Sequence, residues 1–548
     1  MGEREAGGGG HLVSPIAREY FRIPRDDRAV YLRPSLSELP ALVESNRRLI
    51  ASHDFELAGC PFAEFRAAAR QEIVSLARAW TQERGFTAPD WSEPAPLVFT
   101  GHQPQPFHPG VWFKNFLAGG LAAQAGGVCV NMAVDNDEPH GQVLRFPVRT
   151  AGAGGGETVR VGEFPLVPNP GGVPFEEQPA SDADWRVPES VQHDVPPECA
   201  EPFQRLWSYV REAACAAETV GEACTLARRR LEEELGLANL EIPISAIADS
   251  EAFRLFLAEM VARREDLFAA YNESLAEYRR VYHERSAAQP VPDLVRDDER
   301  VELPFWAWRA GEVRRRLWAG QAEAGAVALL ADRRPIGTLD ASELADVTAA
   351  AARLAAFRET GCKIRPRALS LTLFTHLCLG DVFVHGLGGA LYDKVTDVVF
   401  ERFLGVRAPG VILATCTVHL PLEAYPSTRA DLETARRGVR DWRFNPDRMM
   451  SGAVREGSEA QALMEEKWRL IRDLAPTRDG RSRAYHRVHA VNAALAGLEP
   501  QGPAAAETNL DRVERELRRN AILQNREYPF WFYPAADLAA FYRKATAL

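Results

Sequence analysis

The sequence predicts an α/β protein: a parallel-sheet core assembled from two sequence-distant halves, a mainly helical insertion between them, and a helical C-terminal region. Two strand–helix units, and the helical stretch that separates them, carry this reading. In the first unit "APLVFTG" is a short apolar run ending in glycine, "VWFKNFLAGGLAAQAGG" is helix-like, and "VCVNMAV" is a second apolar run. Strand, helix and strand in so short a span form a βαβ unit, which implies parallel pairing. The second unit is "RPRALSLTLFTHLCLGDVFVHGLGGALYDKVTDVVFERFLG", followed by the strand-like "GVILATCTVHLPL".

In chain order, the first 95 residues read mostly as helices, because "ELPALVESNRRLIASH" and "FAEFRAAARQEIVSLARAWTQER" place apolar residues three and four apart. With the first βαβ unit they make residues 1–150 the first part of the core. Glycine and proline punctuate 150–200, and helical periodicity fills 201–290, so 151–295 reads as the insertion. The short strands "ELPFWAWRAG", "RRRLWAG" and "AVALLADRRPIGTL" open the second part of the core, 296–426. Charged amphipathic helices such as "SEAQALMEEKWRLIRDL" and "TNLDRVERELRRNAILQN" dominate the tail, 427–548.

Composition narrows the function classes. A chain of 548 residues exceeds what one core organises, and 46% hydrophobic with 26% charged residues is an ordinary globular balance. A net charge of −11 argues against a nucleic-acid partner. The eight cysteines show no CxxC pair, so reduced thiols in a cytoplasmic protein are expected. The N-terminus lacks the apolar centre of a signal peptide, and no run approaches the roughly 20 apolar residues of a membrane span. No metal set is read: His486 and His489 stand three apart in a helical stretch without a third ligand.

Ligands of an open parallel sheet bind beyond the carboxyl ends of its strands, and three such ends carry polar clusters. After the first strand come Thr100, Gly101, His102, Gln103 and His108, with Lys114 early in the next helix and no acid among them. Backbone amides at a helix N-terminus favour anions, so His102 and Gln103 are expected to donate to one. After the second strand come Asp135, Asn136, Asp137, Glu138 and His140, able to bind an amine or a metal or to serve as a general base. After a later strand, His385 precedes Gly386, Gly388 and Gly389, with Tyr392 beyond; glycines let a ligand approach the backbone. The three clusters are expected to surround one cleft.

"VFTGHQ", "AVDNDEPHG", "RPRALSL" and "FVHGLGGALYD" occur in the order of the motifs of the bacillithiol biosynthesis cysteine-adding enzyme family, which the chain resembles. Thr100, Gly101 and Gln103 match its first turn; Asp135, Asp137 and Glu138, with His140 nearby, match its acidic cluster; Arg365 and Pro366 match its arginine–proline segment; Gly386, Gly388 and Tyr392 match its glycine loop. Departures fall at contact positions. His102 stands for a glutamine, Leu387 for a proline and Gly389 for a glutamate; the acidic cluster reads D-N-D-E, and Lys114 lies about two positions early.

The resemblance implies a Rossmann-like core, a C-terminal coiled coil that forms a homodimer, and a ligase joining cysteine to the amine of a glucosamine–malate acceptor. Forming an amide from a carboxylate is uphill in water, so the carboxyl needs activation, most simply by a nucleotide such as ATP, with ATP or ADP as the ligand. The Thr100–Gln103 turn, with His102 among the catalytic candidates, and the 386–389 glycine loop would then hold phosphate or carboxylate oxygens, Arg365 would be a binding residue, and Asp135, Asp137 or Glu138 would orient or deprotonate the amine. Two alternatives remain open: a nucleotidyltransferase-like or adenylate-forming ligase with another acceptor, and a sugar- or nucleotide-binding scaffold without chemistry, which Gly389 favours. The aromatic "PFWAWRAG" and "REYPFWFYP" read as core, and the cysteines as buried apolar residues.

Overall fold

The computed structural model describes residues 16, 18–139, 143–151, 157–167, 172–297, 299–450, 455–473 and 476–547. Strands that build the two larger sheets are β1 (Ala29–Arg33), β2 (Leu97–His102), β3 (Val128–Ala133), β4 (Leu240–Pro243), β5 (Arg300–Arg309), β6 (Arg315–Gln321), β7 (Val327–Ala331), β8 (Arg334–Leu339), β9 (Cys362–Pro366), β10 (Val382–His385) and β11 (Ile412–Thr417). The first sheet has the order β1–β11–β10–β2–β3–β4. All its neighbours pair in parallel except β1, which runs antiparallel to β11. Counted along the chain, its parallel strands stand third, second, first, fourth, fifth. That is the order of a doubly wound sheet, with the direction of winding reversing between β2 and β10. The chain has a Rossmann-like α/β fold.

The apolar runs form these strands because both faces of the sheet are covered, as parallel sheets require. Leu97, Val98 and Phe99 of β2 have no exposed surface, and every residue of β3 is buried. The helix Pro109–Gln124 joins them and buries Trp112, Phe113 and Leu117. β4 lies within the stretch that reads as helical, and it extends the sheet beside β3. The second sheet, β8–β7–β6–β5–β9, is antiparallel throughout and shares one apolar core with the first.

The chain divides into two compact units. One comprises residues 1–146, 162–420 and 526–548; the other comprises 147–161 and 421–525. The smaller unit is built from helices that include Arg429–Phe444, Glu459–Arg472, Arg478–Leu498 and Gln501–Leu523. Its Phe444, Trp468, Ile471, Tyr485 and Leu498 are 37–60% exposed. Among the described residues, no helix is long and apolar enough to cross a membrane.

Candidate functional site

A cavity of about 330 Å³ opens at the carboxyl ends of β2 and β10, where the winding reverses. Gly101, His102 and Gln103 line it from the end of β2, Asn136 and Asp137 from the loop after β3, and Trp306 and Arg314 from the second sheet and its first hairpin. Arg367, Thr375 and His385 complete its polar wall. Among its described lining residues Asp137 is the only carboxylate.

The turn after β2 divides between scaffold and site. Thr100 is fully buried and its hydroxyl donates to the Val384 carbonyl at 3.0 Å, tying β2 to β10. Gly101 packs tightly against β3: a Cβ there would lie 3.0 Å from the Met132 carbonyl oxygen. His102 is buried, tilted against Phe107 at 4.2 Å between ring centres, with Nδ1 3.1 Å from the Gln103 carbonyl. A carbonyl only accepts, so Nδ1 carries the proton. Burial, with Arg228 and Lys114 nearby, holds the ring's pKa well below its usual value, so Nε2 presents a lone pair. That nitrogen is buried with no partner among the described residues. The expectation that His102 donates to an anion is therefore corrected: it accepts, and suits an N–H or O–H of a ligand. Gln103 donates to the Asp137 carboxylate at 3.0 Å.

His108 and Lys114 do not line the cavity. His108 caps the helix Pro109–Gln124, its Nδ1 accepting from the Gly110 amide at 3.1 Å; burial and Arg526 push its pKa down to about 3. Lys114 is buried and donates to the Gly101 carbonyl at 2.7 Å, which braces the turn from beneath. Burial lowers its pKa from 10.5 to about 8. A cation with a depressed folded pKa contributes stability that is lost as pH falls through that value. Wild-type protein should thus gain stability relative to Lys114→Met as pH rises from 8 towards 10.5, read by denaturant midpoints at the two ends; parallel curves would mean that the amine is hydrated.

The acidic loop is split between two cavities. Asn136 donates to the Pro366 carbonyl at 2.7 Å and leaves a buried, unpartnered Oδ1. Asp137 pairs with Arg314 at 2.8 Å, and Glu138 with the same guanidinium at 3.0 Å. Asp135 instead lines a neighbouring cavity of about 400 Å³, with Glu176, Asp249, Lys363 and Arg365. It accepts from the Ser245 amide at 2.9 Å and from the Ser245 hydroxyl; burial and then Glu176 push its pKa up to about 7. Arg365 is buried and held by Glu176 at 2.8 Å and Asp249 at 2.9 Å. Asp135 and Arg365 therefore stand apart from the His102–Asp137 wall.

Beyond His385 the glycines are not dictated by packing at Gly386 and Gly388, where an added Cβ would meet nothing within 4 Å. Gly389 precedes the helix Ala390–Val399, which carries Tyr392; the Tyr392 side chain and all of His140 lie outside the described residues. Sequence reasoning missed three lining groups. Trp306, read as core, is half-buried, and the guanidinium carbons of Arg367 and Arg314 lie 4.1 and 4.6 Å from its ring centre. Arg367 also donates to the buried Glu302 at 2.7 Å, while its Nε and Nη2 have no acceptor among the described residues. The second arginine of "RPR" was the available signal.

Gln103→Ala should weaken ligand binding here about three- to tenfold, the range for one neutral hydrogen bond, with an unchanged melting temperature. His102→Ala should lower both affinity and melting temperature, because its ring is packed. Calorimetry and a melt on each variant check this; intact binding in both would make the turn scaffold only.

A third cavity of about 500 Å³ lies at the opposite, amino end of the sheet, and its only Lys, Arg, Asp or Glu among the described lining residues is Arg543. No family model matches the chain. No curated protein matches it. Among solved structures it is similar to a tyrosyl-tRNA synthetase from Aeropyrum pernix, at 12% identity over 86% of this chain and 99% of that one, with a TM-score of 0.20. A superposition that loose carries no argument about activity.

Proposed function

We propose that the protein is a nucleotide-dependent ligase that joins an amino-acid carboxylate, that of cysteine by the resemblance of its motifs, to the amine of an amino-sugar acceptor such as glucosamine–malate. The observation that carries this reading is the cavity at the winding reversal of the doubly wound sheet, the place where such sheets take nucleotides. Its groups fit the chemistry. Arg367 offers two guanidinium nitrogens without an acceptor among the described residues, and beside it Asp137, paired with Arg314, offers one carboxylate for an ammonium group. His102 Nε2 and Asn136 Oδ1 are buried acceptors without partners among the described residues, placed to hold N–H or O–H groups. ATP would supply the free energy that amide formation needs. The chain's own residues would orient the carboxylate against the arginines, hold the amine at Asp137, and exclude water with Phe383, Leu369 and Trp306.

The test is incubation with ATP, cysteine and glucosaminyl-malate, followed by mass spectrometry for the condensation product and the spent nucleotide. ATP-dependent product with cysteine supports the full reading, and product with another amino acid or amine keeps the ligase and changes its substrates. Nucleotide binding without any product across a panel of amino acids would leave only a binding scaffold.

The smaller unit's exposed Trp468, Ile471 and Tyr485 support a homodimer formed through its helices. Light scattering should return twice 60.7 kDa; the mass of one chain at micromolar concentration would remove the dimer.

A further inference from the structure

We propose that His376, His385 and Asp393 bind a divalent transition-metal ion of the zinc class at the wall of the switch-point cavity. Each comes from a different element. His376 lies in the π-type turn Thr375–Leu379, His385 ends β10, and Asp393 is in the first turn of the helix Ala390–Val399. Wide π turns interrupt a helix and often mark functional positions. The turn carries His376 to within 3.0 Å of His385, nitrogen Nε2 to nitrogen Nε2. Asp393 Oδ2 lies 2.9 Å from the same His385 nitrogen. The three ligand atoms lie within 4.8 Å of one another, and the residues are only 3–6% exposed.

Proton counting favours a cation. His385 Nε2 faces both His376 Nε2 and Asp393, and its one ring proton satisfies a single good contact. Both Asp393 oxygens are buried without a well-aligned hydrogen bond among the described residues. The neighbouring cations are engaged elsewhere: Lys114 with the Gly101 carbonyl, and Lys394 with Glu19 at 3.6 Å. Asp397, one turn along the same helix, lies close enough to Asp393 for the two carboxylates to repel. A doubly charged ion would satisfy all three lone pairs at once.

Two imidazoles and one carboxylate suit zinc. Tetrahedral bonds of about 2.0–2.2 Å put ligand atoms roughly 3.3 Å apart, so the rings need to separate by only a few tenths of an ångström. Three protein ligands leave a fourth position for water or a ligand. His385 and Thr375 line the cavity, which places that position beside the substrate groups. The site rests on its own geometry and needs no nucleotide.

Cobalt(II) titration of the full-length, chelator-treated protein tests it. An intense visible d–d band that saturates at one equivalent and is displaced by Zn²⁺ is expected. His376→Ala and Asp393→Asn should each weaken binding by more than the roughly 100-fold that loss of an outer-sphere partner brings. A control variant, His486→Ala with His489→Ala, should bind as wild type. No saturable band in the wild-type protein overturns the proposal, whether or not the ligand variants fold. So does a band that persists in both ligand variants and vanishes in the control. Stoichiometric binding without amide formation would leave this site standing and remove the ligase reading.

Discussion

Asp381→Ala is expected to cost about 3–5 kcal/mol of unfolding free energy, the range for removing one partner from a buried ion pair. Asp381 sits just before β10 and holds the amino end of the sheet together. Its carboxylate accepts from Arg66 at 3.0 Å, from Arg70 at 3.2 Å and from the Leu97 amide at 2.8 Å. The side chains of Asp381 and both arginines are at most 10% exposed. Burial and the adjacent Arg70 already draw the Arg66 pKa down to about 10, a sign of how little water remains to solvate these cations. Alanine would leave Arg66 with carbonyl acceptors alone and Arg70 with Glu93 and carbonyls, and would unpair the Leu97 amide from its carboxylate. Denaturant unfolding of the larger unit, followed by tryptophan fluorescence, should show the shift. A change under about 1 kcal/mol, the level of an exposed pair, would mean that the network is hydrated.

Arg367→Ala should weaken nucleotide binding by about one to two decades, since a hydrogen bond to a charged group contributes about 1.5–3 kcal/mol. The variant also removes one of the two arginines from Glu302, which keeps Arg316 at 3.2 Å and the Val295 amide at 3.1 Å, so stability will fall as well. Arg316→Ala separates the two effects. It disturbs the same glutamate but lies outside the cavity lining, so it should lower the melting temperature and leave affinity unchanged. Arg367→Lys should fall between, because an ammonium keeps the charge but loses the planar fork and the stacking on Trp306. Equal affinities in the alanine variants at positions 367 and 316 would remove Arg367 from the binding site.

The sheet was legible where its strands are apolar and uninterrupted, as in "LVFTG" and "VCVNMA". β4 was hidden because its four residues, "LEIP", place a glutamate in the middle. Glu241 is buried there only because Arg228 and Asn131 bond to it, a pairing that no local pattern reveals. The same limit governs the site. A polar, acid-free turn after β2 stood out by composition, whereas Arg314 reaches Asp137 across 177 residues of chain (314 − 137). Adjacency misled at the acidic loop, where Asp135 and Asp137 serve different cavities. His376 was passed over because a π turn breaks the helical spacing that would have shown which way it faces.

The central claim is that the nucleotide and amino acid occupy the cavity between β2 and β10. Hydrogen–deuterium exchange with and without saturating ATP and cysteine tests it most directly, because each cavity has peptides that the others lack. Protection should concentrate on the Gly101–Gln103 turn, the Asn136–Asp137 loop, the Trp306–Arg314 hairpin and the segment from Arg367 to Thr375. Protection confined to peptides around Ser245, Asp249 and Lys363, or around Leu235–Asn239 at the amino end of the sheet, would place the ligand elsewhere and contradict the account.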